Sequence, residues 1–154
     1  MARLLWALSV VCGGASADES NAVVGCWANP ESILQVSRVG DGLSMSVVAL
    51  LEPLYSDGEE FGPVGTPRRD HRNPDPGKRH VPIIGLELLS DYVFDSGKWH
   101  GRIYDPESGK TYASSMVLGK NGRLKMRGYI GLPMFGRTAT FTPLPRKSRS
   151  TSCS

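Results

Sequence analysis

Arg123-Leu124-Lys125-Met126-Arg127 alternates base and apolar residue at every step. That is the period of a strand with one face in a core and the other in water. Leu124 and Met126 face inward and the three bases face solvent. The same pattern runs outward along the chain. Val23 to Ala28, Ile33 to Val39, Leu43 to Leu51, Val81 to Val93, Trp99 to Tyr104, Thr111 to Leu118 and Phe135 to Thr142 read as further strands. In the third of these, Leu43, Met45, Val47, Ala49 and Leu51 fall on one face. The links Gly40-Asp41-Gly42, Asp95-Ser96-Gly97-Lys98, Asp105 to Lys110 and Gly119-Lys120-Asn121-Gly122 carry the glycines that tight turns demand. A single turn around Pro82 to Leu88 is the one helical signal. Eight or nine short strands joined at hairpin length predict an all-β domain, either an antiparallel sandwich or an up-and-down β-barrel.

One segment breaks this rhythm. Glu52 to His80 spans 29 residues with five prolines, four glycines and dense charge. Connections of that length are uncommon inside a compact domain. Lying across one end of a barrel, residues 52–80 form either a lid over a pocket or an ordered, inert flap.

The ends of the chain read differently from its body. Met1-Ala2-Arg3 is a short basic region, Leu4 to Cys12 an apolar run of nine residues, and Ala15-Ser16-Ala17 a small-x-small cleavage site. This layout predicts a cleavable signal peptide over residues 1–17 and export to the periplasm. Residues 18–145 are then the folded domain, and the basic Ser/Arg tail 146–154 is expected to be disordered. The apolar run is too short to anchor in a bilayer, and no other window predicts a membrane span. Val10 and Val11 before Cys12 do not fit a lipoprotein site. The formal charge of +3 comes from the two ends, since the body between them carries 14 bases against 15 acids. Without a clustered basic face, no nucleic-acid partner is expected.

Cys26 and Cys153 survive processing. An oxidising compartment permits a bridge between them, worth about 2–4 kcal/mol. Against the bridge, Cys153 lies in the polar tail and Cys26 among core residues. Such separated cysteines lack the close ligand pairs of a metal site. Neither metal nor cofactor is expected.

Several motifs then fall in one order. They are Gly25-Cys26-Trp27, Asp70-His71-Arg72-Asn73-Pro74, Pro82-Ile83-Ile84-Gly85-Leu86, Tyr104-Asp105-Pro106-Glu107-Ser108-Gly109-Lys110-Thr111-Tyr112, Arg127-Gly128-Tyr129-Ile130-Gly131 and Phe135-Gly136-Arg137-Thr138. Over residues 22–142 the chain resembles the bacterial exported proteins of the domain of unknown function family 2147. That resemblance implies a location and a fold, without an assigned activity. The first and last motifs are also similar to the lipocalin-like (calycin) barrels, in which an indole on the first strand packs under a basic residue on the last. Here the pair would be Trp27 and Arg137. Arg137 shares a strand face with Phe135, Ala139 and Phe141, so it points inward and needs a partner. Stacking on Trp27 would contribute on the order of 1–2 kcal/mol. The chain departs from its relatives in two places: Val39 to Met45 lacks a cysteine pair, and Phe141 stands where a Trp is usual. The fold expected is therefore a single lipocalin-like barrel of about eight strands.

Candidate chemistry is sparse. Asp70-His71-Arg72-Asn73-Pro74-Asp75, with His80 nearby, is the densest polar cluster. It reads as a metal or anion site or an acid–base pair, or as an Asx-type turn in which Asp70 or Asn73 bonds backbone N–H groups. A calcium loop is excluded, for want of Gly at the sixth place and Glu at the twelfth. Asp105, Glu107 and Lys110 read as a polar site with paired carboxylates, or as a hairpin opened by Asp-Pro and closed by Gly. Tyr92, Tyr112, Tyr129 and Trp99-His100 are core or cavity aromatics. Asp70, His71, Asn73, Asp105, Lys110 and Tyr112 are thus the polar candidates at a binding site, and no catalytic residue is assigned. Nucleophile elbow, Walker loop and dinucleotide fingerprint are all missing. The leading reading is a periplasmic binder of a small apolar or amphipathic molecule. A barrel of this size can equally be filled by its own side chains. The alternative is then a solid-core envelope protein that contacts another envelope protein. A hydrolase or isomerase using Asp70/His71 or Asp105 is the third.

Overall fold

Two-residue turns set the meander. Ser96 and Gly97 both take positive φ, at 50° and 78°, the geometry whose twist matches the flanking strands. The computed structural model, which describes residues 16–145 and Cys153, has the strands β1 (Gly25–Ala28), β2 (Ser32–Val39), β3 (Gly42–Leu50), β4 (Leu89–Asp95), β5 (Lys98–Asp105), β6 (Lys110–Leu118), β7 (Leu124–Tyr129) and β8 (Arg137–Pro143), with two-residue turns at β2–β3 and β4–β5 and longer links elsewhere. The expected signal segment, apart from its last two residues, and the tail, apart from Cys153, lie outside the described residues. A six-residue helix, α1 (Ser16–Asn21), precedes the strands. All eight strands form one antiparallel sheet in the order β3-β2-β1-β8-β7-β6-β5-β4. Its two outer strands meet. Gly85 N–H donates to the Val47 carbonyl at 2.7 Å, Val47 N–H to Leu86 at 3.1 Å and Leu88 N–H to Met45 at 2.8 Å. The sheet thereby closes into an up-and-down barrel.

Several local expectations are corrected. The strand read over 81–93 begins only at Leu89 and runs to Asp95. Pro82 has no N–H to offer a ladder, and Ile83 to Leu86 make a β-turn with Gly85 at φ 92°. That turn stands where a helical turn was expected. In β3, Leu34 pairs with Val47 but Ile33 pairs with Ala49, so Val48 is an extra, bulged residue. The bulge exchanges the faces: Ala49 leaves the Leu43-Met45-Val47 face and Leu51 ends 74 % exposed. Phe135 belongs to a 3₁₀ turn, Pro133–Phe135, and β8 starts at Arg137. A second 3₁₀ turn, Pro76–Lys78, is capped by the Asp75 carboxylate accepting from Gly77 N–H at 2.9 Å.

The core fills only one end of the barrel. Trp99, Met45, Met116, Leu124 and Val36 are fully buried beside α1. The Trp99 indole N–H donates to the Ser20 carbonyl at 3.0 Å, and the Arg38 guanidinium lies 5.1 Å above its ring. Arg38 is exposed, and a cation–π contact at such a site contributes about 0.5–1 kcal/mol. Helix and indole together plug the end that holds the β2–β3, β4–β5 and β6–β7 turns.

Cys26 and Cys153 are joined in a disulfide, closing a separation of 127 residues. Cys153→Ser is expected to lower unfolding stability by about 2–4 kcal/mol. The Cys26 thiol left behind is nearly buried and packs as a small apolar group. A denaturant midpoint equal to that of the unsubstituted protein would contradict the expectation.

Candidate ligand-binding site

The opposite end of the barrel is unfilled. Inward positions shrink towards it: Met116 gives way to Ser114 on β6, Met126 to Gly128 on β7 and Phe141 to Ala139 on β8. The cavity left has a volume of about 1370 Å³. Its floor is apolar, made by Leu34, Val47, Leu88, Met126 and Phe141, and its mouth carries Glu31, Glu107 and Arg137. Ile130 and Leu51 also line it, at 73 % and 74 % exposure.

The long segment 52–80 forms one wall of the mouth. Arg68 holds it together: its guanidinium donates to both oxygens of Glu59 at 2.7 and 2.8 Å and to the Glu52 carbonyl at 2.7 Å. The Ser56 N–H, then Arg68, hold the Glu59 carboxyl below the usual carboxylate range. Beneath Arg68, at 5.5 Å, lies the buried ring of Tyr55. The flap is pinned to the barrel at two points. Asp70 is fully buried and accepts from the Tyr104 hydroxyl at 2.7 Å and the Asn73 amide at 2.6 Å. Gly109, at φ +68°, lets the β5–β6 turn rest on the flap, since a Cβ there would overlap the Arg72 carbonyl.

The sequence candidates separate on this geometry. Asp70 and Asn73 fasten the flap, and Asn73 Oδ1 also accepts from Asp75 N–H at 2.9 Å. His71 lines the cavity and stacks on Phe61 with centroids 3.8 Å apart. Asp105 lines the mouth but serves its own turn, accepting from Glu107 N–H at 3.0 Å and Ser108 Oγ at 2.7 Å. With Ser108 Oγ committed to Asp105, its oxygen accepts from the Tyr112 hydroxyl at 3.1 Å. Lys110 is exposed and away from the cavity.

The expected stacking of Arg137 on Trp27 is not formed. Trp27 pairs with Pro143, six positions from Arg137, or about 20 Å along a strand. Trp27 donates instead to the Val23 carbonyl at 2.8 Å, while Arg38 and Trp99 make the cation–π contact at the closed end. Arg137 keeps its inward register and lines the cavity mouth. Tyr104, Arg69 and Gly128 were not singled out by sequence. The shrinking inward positions of β6 to β8 were the available signal.

The family described as "Uncharacterized protein conserved in bacteria (DUF2147)" matches residues 25–143. The chain belongs to this family. No curated protein matches it in sequence. Among solved structures it is similar to protein HP1028 from Helicobacter pylori, described as belonging to the lipocalin family, with a TM-score of 0.65 and 21% identity over 80% of this chain and 83% of that one. At that identity the likeness is one of fold. This DUF2147 chain is therefore an eight-stranded, lipocalin-like barrel. Among the described residues no helix is long and apolar enough to cross a membrane.

Two phenols are shifted. Burial pushes Tyr92, bonded to Ser114 inside the barrel, up to about 12. Burial, then the hydrogen bond and charge of Asp70, also raise Tyr104. Both keep their protons in the fold where an unfolded tyrosine, near 10, would lose its own. Their contribution is thus complete below about pH 10 and is lost as pH rises through 12 and beyond. In an ultraviolet titration, two of the five tyrosines are expected to ionise only with alkaline unfolding, and one in Tyr104→Phe. All five titrating near pH 10 in the folded protein would contradict this.

Proposed function

We propose that this protein is an exported, periplasmic binding protein that holds a small apolar or amphipathic molecule in the open half of its barrel. The observation that carries the reading is the cavity itself. At about 1370 Å³ it exceeds the roughly 300–1000 Å³ of ordinary small-molecule pockets. It also combines an apolar floor with a polar rim, the arrangement that orients an amphiphile. The signal-like pattern of residues 1–17 supports export, and the Cys26–Cys153 disulfide suits an oxidising compartment. Cleavage after Ala17 would leave Ser20, whose carbonyl holds Trp99, in the mature chain.

A second reading has one observation in its favour. Ile130, Leu132 and Met134, all on the β7–β8 loop, are exposed apolar side chains. Arg127 fixes that loop by donating to the Pro133 and Met134 carbonyls. Such a display suits contact with another envelope protein.

Native mass spectrometry of the protein from a periplasmic extract tests the first reading. A reproducible added mass that disappears on denaturation is expected. Gly128→Leu gives the control: a Cβ at Gly128 meets its neighbours only at 3.8 and 3.9 Å, so the side chain enters the cavity without breaking the wall. It is expected to weaken binding of an uncharged apolar fluorescent probe by about tenfold or more, with an unchanged or higher unfolding midpoint. A bare polypeptide mass together with no probe binding by the unsubstituted protein would overturn the reading.

A further inference from the structure

The barrel wall is uneven. β1 stops at Ala28, opposite Thr142, whereas β8 continues from Phe141 to Arg137 alongside β7. Five residues of β8, about 16 Å of strand, thus border a gap above the end of β1. The cavity runs into this gap, with Glu31, Ser32 and Leu34 on one side and Arg137, Ala139 and Phe141 on the other. The site therefore opens sideways as well as at the end of the barrel.

Arg137 stands at the upper end of the gap. It pairs across to Gly128, whose missing side chain leaves space beside it. Three other arginines are engaged: Arg68 by Glu59, Arg102 by Asp91, and Arg127 by the β7–β8 loop. Among the described residues the Arg137 guanidinium meets no carboxylate, carbonyl or ring. Arg69, on the flap, is a second cavity-lining guanidinium without a partner. Four acids line the cavity, Glu31, Glu52, Asp105 and Glu107. Glu52 faces Arg68, and Asp105 accepts from Glu107 N–H and Ser108 Oγ in its own turn, while Glu31 and Glu107 lie on turns. A guanidinium offers five fixed donors, matched in shape to carboxylate and phosphate oxygens. Here it caps a slot whose lower end is the apolar Phe141.

From this geometry we infer that the site takes an elongated amphiphile with an anionic oxygen headgroup, the head on Arg137 and the chain laid along β8 towards Phe141. The inference rests on the binding reading above and adds the ligand's charge, shape and anchoring residue. Carboxylate and phosphate heads share the required chemistry.

The test is displacement of an uncharged apolar fluorescent probe by dodecanoate, dodecyl phosphate and dodecanol, on the unsubstituted protein and on Arg137→Ala, Arg137→Lys and Arg69→Ala. The unsubstituted protein should prefer one or both anions to dodecanol, and the better anion identifies the headgroup. Arg137→Ala should weaken anion binding by about tenfold and leave dodecanol unchanged, with Arg137→Lys in between. An equal loss on dodecanol, no loss on either, or a loss confined to Arg69→Ala would overturn the assignment. Equal binding of anions and alcohol by the unsubstituted protein would overturn it while leaving the binding reading intact. Binding of none of these compounds would remove both.

Discussion

The sheet is a barrel because the chain returns beside β3. The hydrogen bonds from Gly85 and Leu88 to the carbonyls of Val47 and Met45, and from Val47 to Leu86, join two strands separated by the whole of the flap. This closure is made by irregular backbone and not by a long ladder. Ser46 and Glu87 form a single isolated bridge, and the Ser44 hydroxyl donates to the Glu87 carboxylate at 2.6 Å. Without it, β3 and β4 would each expose an edge, a standing invitation to mispairing. Closure also fixes where the flap must begin and end, and so places it over the open mouth.

Once closed, eight strands enclose a space that must be filled, plugged or left open. The chain does one of these at each end. Near α1, Trp99, Met45, Met116 and Leu124 fill the interior, and the Ser20 carbonyl satisfies the indole N–H that burial would otherwise strand. Towards the mouth the inward residues become Ser114, Gly128 and Ala139, and space remains. A solid core and an open cavity therefore coexist, in different halves of one barrel. The filled half supplies the stability that lets the other half stay open.

Most of the fold was legible because it rests on local signals. Period-2 alternation in Leu124 to Met126 and glycine turns such as Ser96-Gly97 hold regardless of tertiary context. What failed depended on partners distant in sequence. The bulge at Val48 exists to keep β2 and β3 in register, and alternation within β3 alone cannot reveal it. Val81 to Leu88 has the apolar composition of a strand, but Pro82 and Gly85 turn it into a closing strap. The inward register of Arg137 was readable, yet its distance from Trp27 followed only from pairing Trp27 with Pro143. At the site, composition marked the polar cluster of the flap, whereas the cavity is defined by side chains that are small or missing. An absence of bulk carries little signal until the strands are placed side by side.

The burial of Asp70 shows why the flap is ordered. A carboxylate removed from water costs several kcal/mol unless donors replace its hydration. Here the donors are the Tyr104 hydroxyl and the Asn73 amide, one from the barrel wall and one from the flap itself. An apolar residue in its place could pack at similar stability, but it would not select a single position for the flap. The hydrogen bond from Tyr104 does, since the Asn73 amide moves with the flap and only the barrel-borne hydroxyl fixes where Asp70 can sit. Asp70 therefore acts chiefly through specificity: it fixes the flap against Tyr104, and with it the positions of Arg69 and His71 at the mouth. The densest polar cluster of the sequence thus works by shaping the flap that borders the cavity.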